Sequence, residues 1–218
     1  MLFLDSADEA ECAQWVGGAA LQGVTTNATL LRRAGARSVS GTARRILALN
    51  PPELHVQVST EDDDDAFQQA VELAGLDDRV RVKIPFVTAA GRFRAGLVLR
   101  CLREKIDVNI TACTTLAQAY LALSLQPRYV SLLWCRTRDA GDDPRLAVDA
   151  LVRRRDRMGA ETRVLVGSVR DPRDVNEALE SAADVVTVPA GVLAPWLHAD
   201  ASIAMARQFR DDAVELVP

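Results

Sequence analysis

Eight short apolar segments recur along this chain, and stretches with helical spacing lie between them. They are residues 2–5, 23–26, 54–59, 80–84, 106–111, 129–133, 163–167 and 184–188. Each is four to six residues long and reads as a short strand. Strand and helix alternating from end to end is the pattern of a parallel sheet. Eight repeats predict a sheet closed into a (β/α)8 barrel. At 218 residues the chain is compact beside the roughly 250 of a typical barrel. That length predicts one domain, without long insertions. The competing arrangement is an open, doubly wound sheet. It calls for a glycine-rich phosphate turn, and neither the dinucleotide-binding nor the P-loop pattern occurs.

Helices are expected over residues 9–17, 38–49, 66–75, 88–104, 114–124 and 145–158. Asp171-Pro172 opens another, Pro189 a short one, and residues 199–214 form a last one with Ala201, Ala204, Met205, Phe209 and Ala213 on one side. Asn27 stands where an N-cap residue sits, and residues 136–144 read as a polar segment. Glu61 to Asp65 are consecutive acids without calcium-loop spacing, which favours a charged helix start over a cation site.

Composition removes several function classes. A net charge of −4 gives no basic footprint for nucleic acid. No apolar run approaches a membrane span, and the first residues lack the shape of a signal peptide. Cys12, Cys101, Cys113 and Cys135 show neither metal spacing nor disulfide density, so buried thiols of a cytoplasmic protein are expected. Two isolated histidines, His55 and His198, offer little for a metal site or a serine triad.

One cation stands apart. Of 26 basic residues only Lys83 and Lys105 are lysines, and Lys83 lies inside the segment Val80-Arg81-Val82-Lys83-Ile84-Pro85. An amine in a desolvated pocket can shed its proton and attack a carbonyl, which a guanidinium cannot. The plainer reading is a solvated lysine at a strand end. In barrels of this kind chemistry gathers at the C-terminal strand ends. Those positions here include Asp5, Thr26, Asn27, Gln57, Lys83, Asn109, Thr111, Ser131, Leu133, Arg136, Ser168, Arg170 and Thr187. An amine for a carbonyl, a carboxylate for proton transfer, amides for hydroxyls and arginines for a phosphate fit a Schiff-base aldol site.

Several of these segments resemble the transaldolase family, in its compact form that includes fructose-6-phosphate aldolases. Gly23-Val24-Thr25-Thr26-Asn27 matches the family's G-V-T-T-N signature, the most specific piece. Val82-Lys83-Ile84-Pro85 matches the strand that carries its Schiff-base lysine. Leu4-Asp5-Ser6, Asn109-Ile110-Thr111, Val166-Gly167-Ser168-Val169-Arg170 and the last strand, residues 183–189, are similar to the corresponding family segments. The resemblance implies that Lys83 attacks C2 of a ketose phosphate and that Asp5 takes the C4 hydroxyl proton. Asn27 and Asn109 then hold the hydroxyls of a three-carbon enamine. Gln57 and Thr111 sit in the family's proton-handling positions, with Thr26 and Ser131 beside the substrate. Arg136, Ser168 and Arg170 are the implied phosphate site. It implies no metal or cofactor, sugar phosphates as substrates, and a homo-oligomer; packing of the last helix on its own barrel is the alternative.

Two departures matter. Transaldolases carry Glu where this chain has Gln57, which resembles the fructose-6-phosphate aldolase subgroup. That subgroup carries a Tyr, and transaldolases a Phe, where this chain has Leu133. Leu132, Trp134 and Cys135 further remodel the family's S-P-F-V-G-R segment. Transfer is therefore expected, to a specialised acceptor and not only to the usual pentose-phosphate set, for example a pentose phosphate extended to eight carbons. Simple aldol cleavage and a non-catalytic sugar-phosphate barrel are the alternatives.

Overall fold

The computed structural model describes residues 1–16 and 21–214. Its centre is a closed barrel of eight parallel strands in sequential order. They are β1 (Leu2–Asp5), β2 (Val24–Thr25), β3 (Leu54–Gln57), β4 (Val80–Pro85), β5 (Val108–Cys113), β6 (Tyr129–Leu133), β7 (Arg163–Gly167) and β8 (Val185–Pro189). Pairing of β1 with β8, from Leu2 opposite Val186 to Asp5 opposite Pro189, closes the ring. The helices are α1 (Glu9–Val16), α2 (Ala28–Arg33), α3 (Val39–Ala48), α4 (Asp63–Ala74), α5 (Ala95–Arg103), α6 (Leu116–Ser124), α7 (Trp134–Asp139), α8 (Pro144–Met158), α9 (Pro172–Glu180), α10 (Ala190–Leu197) and α11 (Asp200–Val214).

Successive strand residues point to opposite faces, and here the two faces differ in chemistry. Leu4, Val24, Val56, Val82, Ile84, Ile110, Val130, Leu132, Val164, Val166, Val186 and Val188 are fully buried in one apolar layer shared with the helices. Burying each such side chain contributes about 1.5–3 kcal/mol, so this layer holds the helices on the barrel. The alternate residues turn inward. Phe3, Tyr129, Leu165 and Val185 form a small separate core inside the ring. Gly23 precedes β2 because the Phe3 ring lies 2.7 Å from where a Cβ would sit.

Local boundaries differ from the sequence expectation in four informative places. The helix expected over 88–104 begins only at Ala95. Residues 86–94 instead form a tight excursion, with Gly91 at φ +80° and Arg94 N–H donating to Phe86 O at 2.9 Å. The acidic run explains it. Asp62 caps α4, while Asp63 pairs with Arg92 and, at 2.8 Å, with the buried guanidinium of Arg94. Residues 134–139 are helical, not a loose polar segment, because Trp134, Cys135 and Thr137 are buried. Asp174 anchors that helix through Cys135 Sγ at 3.0 Å and Arg138 at 2.9 Å. The fifth strand runs two residues further than expected, through an irregularity at Ala112, φ +63°. Finally, Asn27 caps a six-residue helix, accepting the Leu30 N–H at 3.0 Å. The expected end of the first helix, Gly17, lies outside the described residues.

No residue of α11 is buried. Ile203, Met205, Phe209 and Val214 stand exposed on it, so it does not pack on its own barrel. Among the described residues no helix is long and apolar enough to cross a membrane.

Candidate active site

The inward-facing residues meet in a cavity at the C-terminal mouth of the barrel. Asp5, Asn27, Gln57, Lys83, Thr111, Ser131, Arg136 and Ser168, all expected from sequence, line it. Lys83 is 6% exposed, and its Nζ donates to the backbone oxygen of Thr26 at 2.9 Å. Burial lowers its pKa, and the charge of Asp5 partly restores it. Asp5 shows the mirror effect: burial raises its pKa, opposed by Lys83 and by a hydrogen bond from Thr25. That bond, Thr25 Oγ1 to Asp5 Oδ1, is 2.7 Å, and Thr187 Oγ1 lies 2.7 Å from the same Thr25 oxygen. A hydroxyl has one proton to give. Thr25 gives its own to Asp5, so Thr187 donates to Thr25. This two-hydroxyl chain holds one oxygen of the Asp5 carboxylate.

Three residues, Thr26, Asn109 and Arg170, sit differently from the expectation, while Leu133 lies at the cavity as expected. Thr26 contributes its backbone oxygen, and its hydroxyl turns away to the carbonyl of His55 at 3.1 Å. Asn109 is completely buried beneath the cavity floor, its amide shared between Ser131 at 2.7 Å and His55 at 2.8 Å. Arg170 does not line the cavity; it makes a two-pronged pair with Asp139 of α7, at 3.1 and 2.5 Å. Leu133 lines the cavity together with Leu165 and Val169, making one wall apolar.

Sequence reading missed Arg33 and Thr25. Arg33, the last residue of α2, lines the mouth beside Asn27. Among the described residues neither Arg33 nor Arg136 makes an ion pair, unlike Arg138 and Arg170 nearby. The signal for Arg33 was its place six residues past Asn27, on a helix too short to leave the barrel mouth. Two residues of the rim, Ala112 and Ser168, hold φ of +63° and +62°. Such backbone costs on the order of 1–3 kcal/mol at non-glycine residues and gathers at functional sites.

The family model described as transaldolase/fructose-6-phosphate aldolase matches residues 2–215. This chain belongs to that family. Within it, a protein named probable transaldolase from Dehalococcoides mccartyi is 31% identical over 193 residues, covering 88% of both chains. Another of that name, from an Anaeromyxobacter species, is 33% identical, covering 88% of this chain and 86% of its own. Among solved structures, a mandelate oxidase variant with an FMN adduct superposes with a TM-score of 0.61 at 15% identity, over 87% of this chain and 64% of that one. That likeness concerns the barrel alone. Family membership makes this a transaldolase-type aldolase barrel, and its cavity residues occupy the strand ends where such barrels do their chemistry.

Proposed function

We propose that this protein transfers a three-carbon ketol unit between sugar phosphates through an imine on Lys83. The observation that carries the reading is one amine, Lys83, buried with a lowered pKa and sharing its cavity with the carboxylate Asp5. Lys83 adds to the C2 carbonyl of the ketose, and loss of water leaves an iminium. Asp5 takes the proton of the C4 hydroxyl as the C3–C4 bond breaks. The bond pair moves into the iminium and leaves an enamine, while the C4 end departs as an aldehyde. An acceptor aldose then enters, and the steps run in reverse. Asn27, Thr111 and Ser131 hold substrate hydroxyls. Gln57 cannot take a proton, so it orients a water between donor and acceptor steps.

Phosphate binding falls to Arg136 and Ser168, with Arg33 across the mouth. Arg170 acts through its grip on Asp139, which steadies α7 and hence Arg136. A charge-assisted hydrogen bond contributes about 1.5–3 kcal/mol. Arg136→Gln is therefore expected to raise KM for a phosphorylated donor by about 10- to 100-fold, with a smaller effect on kcat. Steady-state kinetics over a range of donor concentrations checks this; unchanged KM would place the phosphate elsewhere.

Borohydride reduction in the presence of fructose 6-phosphate, read by intact mass and peptide mapping, tests the reading as a whole. The expected result is a reduced three-carbon adduct on Lys83. Lys105, the chain's other lysine, is exposed and serves as internal control. No adduct, or an adduct on Lys105 alone, sinks the proposal. Transfer is favoured over simple cleavage because Leu133 brings no hydroxyl to the cavity for protonating the enamine. Gln57 favours the second reading, an aldolase that releases dihydroxyacetone. Product masses with a series of aldose phosphate acceptors separate the two, and eight-carbon products would mark a specialised acceptor.

The exposed apolar side of α11 supports a homo-oligomer in which that helix seats on a second copy. Phe209 and Met205 are 62% and 50% exposed. Light scattering after size exclusion is expected to give a multiple of the 23.7 kDa chain. A Met205→Asp/Phe209→Asp double variant is expected to shift it towards the monomer.

A further inference from the structure

Beneath the cavity floor a line of polar groups runs through the barrel interior. It starts at Glu53, just before β3, and passes through His55 and Asn109 to Ser131 in the cavity wall. Glu53 Oε1 lies 3.4 Å from His55 Nε2; Asn109 Nδ2 lies 2.8 Å from His55 Nδ1; and Ser131 Oγ donates to Asn109 Oδ1 at 2.7 Å. His55 and Asn109 are completely buried and Ser131 is 2% exposed. The ring of His55 is clamped edge-on by Phe3, at 5.4 Å, and Tyr129, at 4.7 Å between centroids. Nothing in the proposed chemistry uses His55 directly.

The chain has two possible polarities, and they give Ser131 opposite roles. In one, Asn109 turns its NH2 to His55 and its oxygen to Ser131. His55 Nδ1 then carries a lone pair and Nε2 the proton, while Ser131 spends its proton on Asn109 and offers only lone pairs to a substrate. In the other, Asn109 is reversed and Ser131 donates into the cavity. Glu53 decides between them. Its carboxylate is held by Arg81 at 2.8 Å and accepts from the Tyr129 hydroxyl at 2.9 Å, which Arg163 steadies in turn. Burial alone would raise the pKa of Glu53, but His55, Arg81 and Tyr129 outweigh it, so Glu53 stays ionised. An anion beside Nε2 calls for an N–H there. We propose that His55, as a neutral ring protonated on Nε2, is a positioning residue: it fixes the Asn109 amide so that Ser131 accepts a hydrogen bond from a hydroxyl of the bound ketose. The kinetic part rests on the Schiff-base reading above; the polarity of the chain does not.

The groups facing His55 are Glu53 on its own segment, Arg81 and Lys83 of β4, Asn109 of β5 and Tyr129 of β6. Burial, against the pull of Glu53, brings its pKa down to about 4, so the neutral ring persists through the neutral range. With two histidines in the chain, 15N-histidine labelling gives spectra that His55→Phe assigns by loss of one set. A neutral ring with the proton on Nε2 at pH 7 is the expected result; a proton on Nδ1, or a charged ring, overturns the proposal. In kinetics, His55→Phe keeps the edge-on packing but removes both nitrogens, and kcat/KM is expected to fall about tenfold. His55→Gln restores an acceptor for Asn109 and a donor for Glu53, and is expected to recover to within about threefold of the parent. A folded His55→Phe within about twofold of the parent overturns the proposal. Should that variant not fold, replacing the exposed His198 with Gln assigns the spectra instead, and the tautomer of His55 decides alone. Borohydride trapping on the same unaltered protein separates failure of the Schiff-base reading from failure of this one.

Discussion

Replacing Lys83 with methionine is expected to lower transfer by a factor of about 10⁴ or more, because the covalent route disappears and only binding and positioning remain. Methionine nearly matches the lysine stem in volume and is flexible enough to settle in the same slot. The variant should therefore fold, and a second measurement should move in the opposite direction. Burial lowers the pKa of Lys83 in the folded protein. Between the folded and unfolded values, the unfolded chain holds a proton that the native state lacks. Stability contributed at this site thus falls as pH drops from the unfolded lysine value towards the folded one. Removing the amine removes that slope. Asp5, freed of its cationic neighbour, responds with a further rise in pKa, which limits the cost of the missing counter-charge. At neutral pH Lys83→Met is expected to melt higher than the parent while losing activity and the borohydride adduct. A variant that melts lower, or keeps an adduct elsewhere on the chain, would mean the amine is structural.

The architecture was legible because its pattern is repetitive. Eight buried strands each carry apolar residues outward, and that signal survives errors of two residues at any boundary. The centre of the site was legible for a related reason: Lys83, Asp5, Gln57, Thr111 and Ser131 all lie on strands, whose inward positions follow from alternation. The rim was less so. Whether Arg170 or Arg33 reaches the cavity depends on Asp139, which claims the first, and on α2, which is short enough to leave the second at the mouth. The helix at 134–139 forms because Asp174, some forty positions later, is there to hold it. No local pattern announces such partners. His55 reads from sequence as an isolated histidine; Glu53, two positions earlier, shares its side of the strand, but only closure of the ring brings Asn109 to the other nitrogen.

Asp5→Asn is expected to separate the two halves of the chemistry. The amide keeps the shape of the carboxylate and can still accept from Thr25, but it cannot receive the C4 hydroxyl proton. Loss of a general base costs about 10²–10⁴ in rate, and the loss should fall on carbon–carbon cleavage, with imine formation spared. Borohydride would then trap the whole six-carbon ketose on Lys83 instead of the three-carbon unit, a difference that intact mass resolves. The pH profile should move as well. The negative charge of Asp5 raises the pKa of Lys83, so its removal lets that pKa fall further and carries the deprotonation of Lys83 to lower pH. The acid limb set by Asp5 itself, whose pKa burial raises above the ordinary carboxylate range, should vanish with the carboxylate. If Asp5→Asn still accumulates the three-carbon adduct at the parent rate, the proton leaves by another path. A water entering the cavity beside Gln57 and Thr111 would be the acceptor on that path, and Asp5 would then serve only to tune the charge of Lys83.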